Sequence, residues 1–122
     1  ENVWNKFLLS PVEMRDFIDQ FNSDYVAAYF DVGNILLYGY PLDWIEVLEE
    51  RIVRVHIKDF NTDTKQFVAL LTGSVDYPRV MNALRGVGYD GWLTVELYPN
   101  VDDPDRAGQG ALDVLRPLLA QG

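Results

Sequence analysis

Three side chains in this sequence are of types that hold a divalent metal or move a proton, and each lies at the end of an apolar run. His56, the only histidine, stands in Ile52-Val53-Arg54-Val55-His56-Ile57-Lys58-Asp59. Asp31 closes Tyr25-Val26-Ala27-Ala28-Tyr29-Phe30, and Glu96 falls near the end of Trp92-Leu93-Thr94-Val95-Glu96-Leu97. A neutral imidazole and two carboxylates make a ligand set for Mn²⁺, Co²⁺, Zn²⁺ or Mg²⁺, and residue type alone does not choose among these ions. Ordinary explanations compete with this one. A lone histidine is commonly a hydrogen-bonded structural residue, and Asp31 ahead of Val32-Gly33 is good turn chemistry. Glu96 weighs the other way, because an unpaired carboxylate ending a buried strand costs several kcal/mol that a nearby cation would relieve.

These side chains can meet only if strands carry them. The alternation of β-branched and polar residues over Ile52 to Ile57 predicts a strand. The continuous apolar run from Val26 to Asp31 predicts one buried on both faces of a parallel sheet, and Trp92 to Leu97 a third. Helices are predicted between them. Ser10, Pro11 and Glu13 form a capping box with proline at the first helical position, and Met14, Phe17, Ile18 and Phe21 make one helical face, giving a helix from Ser10 to Phe21. A second runs from about Leu42 to Glu50 around Trp44, Ile45 and Leu48. Asp76 caps a third that carries Val80, Met81 and Leu84, with Gly86-Val87-Gly88 as its stop. Asn61-Thr62-Asp63-Thr64-Lys65 reads as a polar loop, and Pro99 to Gly110 as another after strand termination at Tyr98-Pro99. A final helix spans Ala111 to Leu119, with Pro117 expected to kink or interrupt it. Trp4, Trp44 and Trp92 are expected in the core or at a subunit contact.

Helix and strand therefore alternate, which means βαβ units and a parallel sheet in an α/β fold. A (β/α)8 barrel needs about 250 residues, so the 122 residues here hold roughly half of one, about four units. A hydrophobic content of 48% supports a single globular domain over residues 1–122. The formal charge of −9 disfavours nucleic acid and anionic membrane as partners. Cysteine is absent, so thiolate metal sites are excluded, and no segment reads as a signal peptide; the setting expected is cytoplasmic.

Glu1-Asn2-Val3-Trp4-Asn5, Tyr29-Phe30-Asp31-Val32-Gly33-Asn34, Val55-His56-Ile57-Lys58-Asp59 and Gly88-Tyr89-Asp90-Gly91-Trp92-Leu93-Thr94-Val95-Glu96-Leu97 together resemble the C-terminal half of the xylose isomerase-like TIM barrels, the sugar-phosphate isomerases and epimerases. The resemblance implies one divalent metal held by Glu1, Asp31, His56 and Glu96 from the ends of barrel strands five to eight. It implies Glu1 and Glu96 as acid and base moving a proton beside the carbonyl of a sugar or sugar phosphate, through an enediolate. Asn5, Asn34 and Asp59 would face substrate. Thr72 stands where relatives often carry an acid.

By this reading barrel strand five is truncated at Glu1, and a half-barrel exposes two sheet edges and an apolar inner face. The chain is then expected to self-associate as a homo-oligomer, or to be completed by an N-terminal half-barrel, and to convert sugar poorly alone. An inosose dehydratase-like reaction is the alternative within enzymes, and a noncatalytic fragment or assembly module the alternative outside them. The superfamily's DNA-repair endonucleases, with a histidine-rich trinuclear zinc site on a basic surface, do not fit one histidine and a charge of −9.

Overall fold

The computed structural model describes residues 1–97 and 102–120. Its elements run α1 (Pro11–Asp19), β1 (Ala28–Asp31), α2 (Val32–Ile35), α3 (Pro41–Leu48), a 3₁₀ turn (Glu49–Arg51), β2 (Ile52–Ile57), β3 (Asp59–Asn61), β4 (Gln66–Val68), α4 (Tyr77–Gly86), β5 (Leu93–Val95) and α5 (Pro104–Leu119). The strand-termination reading at Tyr98-Pro99 lies outside the described residues.

The main sheet is parallel, in the order β1-β2-β5. Its register sets Phe30 beside Val55 and Val55 beside Leu93, on the face that packs against the helices. Trp44, Ile45 and Leu48 of α3, Tyr77, Val80 and Leu84 of α4, and Ala111 and Leu115 of α5 complete that core.

 The opposite face, which a closed barrel would turn inward, carries Tyr29 beside Arg54 and Asp31 beside His56 and Thr94. That corrects the expectation of an apolar inner face: parity sends Phe30 of β1 and Val55 and Ile57 of β2 to the helices and leaves polar and aromatic side chains inside.

Local chemistry explains most element boundaries. In α1 the Ser10 hydroxyl accepts from Glu13 N at 3.2 Å while the Glu13 carboxylate accepts from Ser10 N at 3.1 Å, the reciprocal box expected. Met14 and Ile18 are buried, but the helix stops at Asp19, and Phe21 lies exposed with its ring edge-on to Phe17. Asp76 caps α4 by accepting from Arg79 N. The loop predicted up to Gly110 is helical from Pro104, because Asp103 accepts from Arg106 N and Pro104 takes the first helical position. Pro117 forfeits one backbone hydrogen bond in the last turn, and α5 continues to Leu119.

The predicted polar loop at Asn61 to Lys65 is the tip of an antiparallel hairpin, with Asp59 opposite Val68 and Phe60 opposite Phe67. Asn61 shapes the turn: its side-chain oxygen accepts from Asp63 N and Thr64 N, and Lys65 closes it at φ 59°. Trp4 stacks on Phe67 at 5.0 Å and meets Phe60 edge-on at 5.5 Å, so the N-terminal segment seals this hairpin. Of the other tryptophans, Trp44 is core and Trp92 is 76% exposed.

Asp59 ties the hairpin to the segment ahead of α4. Its carboxylate accepts from Phe60 N at 2.8 Å, Gly73 N at 2.9 Å and Val75 N at 3.2 Å. Replacing a buried acceptor leaves its donors unsatisfied, so Asp59→Ala is expected to lower unfolding stability by about 3 kcal/mol. Urea denaturation checks this, and a loss under about 0.5 kcal/mol, the ordinary effect of a surface change, would show that the clasp carries no weight.

Candidate metal centre

The register that aligns Asp31, His56 and Thr94 brings the acidic and imidazole groups to one end of the sheet. Glu96 lies just past β5, and its N–H donates to Ile57 O at 3.0 Å, extending the ladder far enough to place its side chain there. Nδ1 of His56 stands 3.0 Å from Glu1 Oε1, 3.6 Å from Asp31 Oδ2 and 3.8 Å from Glu96 Oε2. Taking one ligand atom from each of these four residues, all lie within 4.8 Å of one another. Donors at about 2.0 to 2.2 Å from a common ion stand about 3 to 4 Å apart, so the cluster is a little wider than a closed coordination shell and would draw in around an ion.

Asp31 supplies the sharpest test of that fit. Its Oδ1 accepts from Asn34 N at 2.7 Å and caps α2, which satisfies the turn role expected of it. Its Oδ2 is sealed from water and has no hydrogen-bond partner. A buried carboxylate oxygen without a hydrogen bond is costly, and a divalent cation between it and His56 Nδ1 would stabilise it beyond what the Lys58 ammonium, 3.5 Å away, supplies. Burial pushes the Asp31 carboxyl up to about 6, with the charges of Glu1 and Glu96 adding to the rise and Asn34 N–H and Lys58 opposing it. Glu96 moves the other way, held below its ordinary value chiefly by the hydrogen bond from Lys58. The Tyr29 ring packs on the His56 imidazole at 4.1 Å between centroids and restricts its orientation.

Glu1 is placed by its neighbour. The Asn2 side chain donates to Asp31 O at 2.8 Å and accepts from Asp31 N at 2.7 Å, pairing with the end of β1 as a strand's backbone would. Asn34 Nδ2 donates to Asn2 O, and Trp4 Nε1 donates to Asn34 O, so the first four residues are fastened to α2 as well.

Residues 1–118 match the family described as Xylose isomerase-like TIM barrel. The chain belongs to that family. It is similar to a xylose isomerase domain protein from Planctomyces limnophilus, with a TM-score of 0.79 and 26% identity over 89% of this chain and 43% of that one. A D-tagatose 3-epimerase-like protein also superposes at a TM-score of 0.79, with 21% identity over 98% of this chain and 44% of that one. An inosose dehydratase of Lacticaseibacillus casei is 29% identical over 102 residues, 69% of this chain and 33% of that protein. This xylose isomerase-like chain thus spans less than half the length of the relatives it matches.

The polar residues expected at substrate separate in the structure. Asn5 is exposed, with its side-chain oxygen accepting from Phe7 N. Asn34 is buried in the fastening of Asn2, and Asp59 is buried in the hairpin clasp, so neither carboxylate oxygen of Asp59 is turned to the cluster. Two residues at the cluster were not singled out by type and spacing. Asn2 acts through backbone pairing, which no sequence spacing reveals. Lys58, a charged residue just past a strand and so of a type that commonly faces solvent, has its Nζ 2.7 Å from Glu96 Oε2; its parity with His56 on an extended segment is the available signal.

Because Asp31 rises to about 6 from an ordinary 3.8, the folded metal-free chain binds this proton more tightly than the unfolded chain does. The stability gained from protonation is present below about pH 4 and is lost as pH climbs through about 6, a change of about 3 kcal/mol. Asp31→Asn keeps the cap acceptor and removes the titration. In chelator, the stability of the variant relative to wild type is expected to grow between pH 4 and 6 and level off above. A difference independent of pH across that range would refute the assignment.

Proposed function

We propose that this chain carries the metal-holding part of a divalent metal-dependent sugar or sugar-phosphate isomerase or epimerase, with Glu1, Asp31, His56 and Glu96 as ligands. The convergence of these four groups around an unsatisfied carboxylate oxygen is the observation that carries the reading. Membership of the xylose isomerase-like family and the likeness to an epimerase-like structure support it. A bound ion would supply Lewis-acid stabilisation of negative charge on a carbonyl oxygen. The chain's own carboxylates do the rest. Glu96, kept ionised by Lys58, takes a proton from the carbon beside the carbonyl, and Glu1 returns one to the opposite face. Among Asn5, Asn34 and Asp59, the exposed Asn5 is the residue free of burial that would meet a sugar hydroxyl.

An inosose dehydratase-like reaction is the second reading, favoured by the relative of that name. It begins with the same proton removal and then expels a hydroxyl group, so the product has lost water instead of changing configuration.

Titration calorimetry with Mn²⁺ is expected to show one ion per chain, with binding lost in His56→Ala; absence of binding by wild type would overturn the metal site. Ketose in D₂O is then expected to exchange the proton beside its carbonyl, slowly and only with Mn²⁺. Glu96→Gln should slow that exchange by about 10² or more, and exchange at the wild-type rate would remove Glu96 from the chemistry.

We propose further that a second copy of this chain covers the free edges of β1 and β5, which have no partner strand among the described residues. Sedimentation is expected to give twice the mass of 14.0 kDa. A monomer would exclude this partner.

A further inference from the structure

The cluster contains a cation of its own. Lys58 Nζ lies 2.7 Å from Glu96 Oε2 and 3.5 Å from Asp31 Oδ2, and its side chain is 8% exposed. This is not the geometry of a surface lysine whose partner is incidental. The stem runs over Gly33, where an added Cβ would stand 2.7 Å from both Lys58 Cγ and Lys58 O. Tyr77, itself buried, donates from its hydroxyl to Lys58 O at 2.7 Å. The ammonium sits 4.5 Å from the centroid of the Phe67 ring. Gly33 of α2 and Phe67 of β4 therefore flank this side chain, while Tyr77 of α4 fixes the backbone that carries it.

The oxygens it faces decide what it does. After Glu1 Oε1 at 3.0 Å, Asp31 Oδ2 and Glu96 Oε2 are the carboxylate oxygens next to His56 Nδ1, at 3.6 and 3.8 Å. Ammonium and imidazole thus address the same two oxygens. A divalent ion using those oxygens would come close to a fixed like charge and would compete with it for Glu96. Without a metal, the same charge offsets the mutual repulsion of the carboxylates.

We infer that Lys58 is a resident counter-cation that competes with the divalent metal for Asp31 and Glu96, so that it weakens metal binding while holding the metal-free site together. The inference rests on the metal site proposed above and adds a regulator of its affinity. A positioning lysine that merely aimed Glu96 at the ion would have the opposite effect on affinity when removed, which makes the sign of the change decisive.

The test compares wild type, Lys58→Met and Lys58→Arg in Mn²⁺ calorimetry, with thermal unfolding in chelator alongside. Lys58→Met keeps the length of the stem and removes the charge. It is expected to bind Mn²⁺ about tenfold more tightly or better, and to melt at a lower temperature than wild type without metal. Lys58→Arg keeps the charge and should bind within about threefold of wild type, a span small against one removed charge. Unchanged or weaker binding by Lys58→Met overturns the inference while leaving the metal site standing, and so does tightening by Lys58→Arg to the same degree. Binding by Lys58→Met where wild type shows none supports it, whereas no binding by either removes the metal site and the inference together. A measurement on wild type needs no variant to fold. With ¹⁵N-labelled lysine, the Lys58 side-chain NMR signal is expected to shift as Zn²⁺ is added and to stop shifting at saturation; a signal unmoved at saturation overturns the competition.

Discussion

Asp31 is held at the centre of this structure by a conflict between the two halves of its carboxylate. Oδ1 is spent on capping α2, and the backbone on either side of the residue is taken by Asn2 and by the pairing of β1 with β2. Those contacts leave no freedom to turn Oδ2 toward water, so it stays buried without a hydrogen bond. Folding accepts that cost because the surrounding cap, strand and N-terminal contacts are independently favourable. The result is a carboxyl that is hard to ionise next to groups that are charged, an arrangement that favours a cation more strongly than any of the four ligands would alone.

The parallel sheet and its helices were legible because their signals are local and periodic. The run ending in Phe30 and Asp31, the alternation around Val55 and His56, and the capping box at Ser10 each state their own element, and the structure keeps all three. The hairpin was not legible, since β3 and β4 are short and hold together through Asn61 and the aromatic contacts of Trp4, which is remote in sequence. The start of α5 was written in Asp103 and Pro104 but masked by Gly108 and Gly110, whose poor helix propensity argues for a loop. In the site, the three strand-borne groups followed from strand ends alone. The position of Glu1 did not, because it depends on a side-chain amide standing in for backbone pairing.

Lys58 and Asp59 show how one residue of phase separates a site from a scaffold. The chain is still extended as it leaves β2 at Ile57 and enters β3 at Asp59, so alternate side chains continue to face opposite ways. His56 and Lys58 share one phase and reach the acidic cluster; Ile57 and Asp59 share the other and are buried in the packing around it. Charge type would have sent the acid toward the metal and the base toward solvent. Parity reverses that, and each residue then finds what its chemistry requires: Asp59 meets three backbone N–H groups, and Lys58 meets carboxylates. Exchanging the two would bury an ammonium against N–H donors and add a further carboxylate to an already acidic cluster, so the order Lys-Asp is demanded by the backbone's alternation as much as by the chemistry of the site.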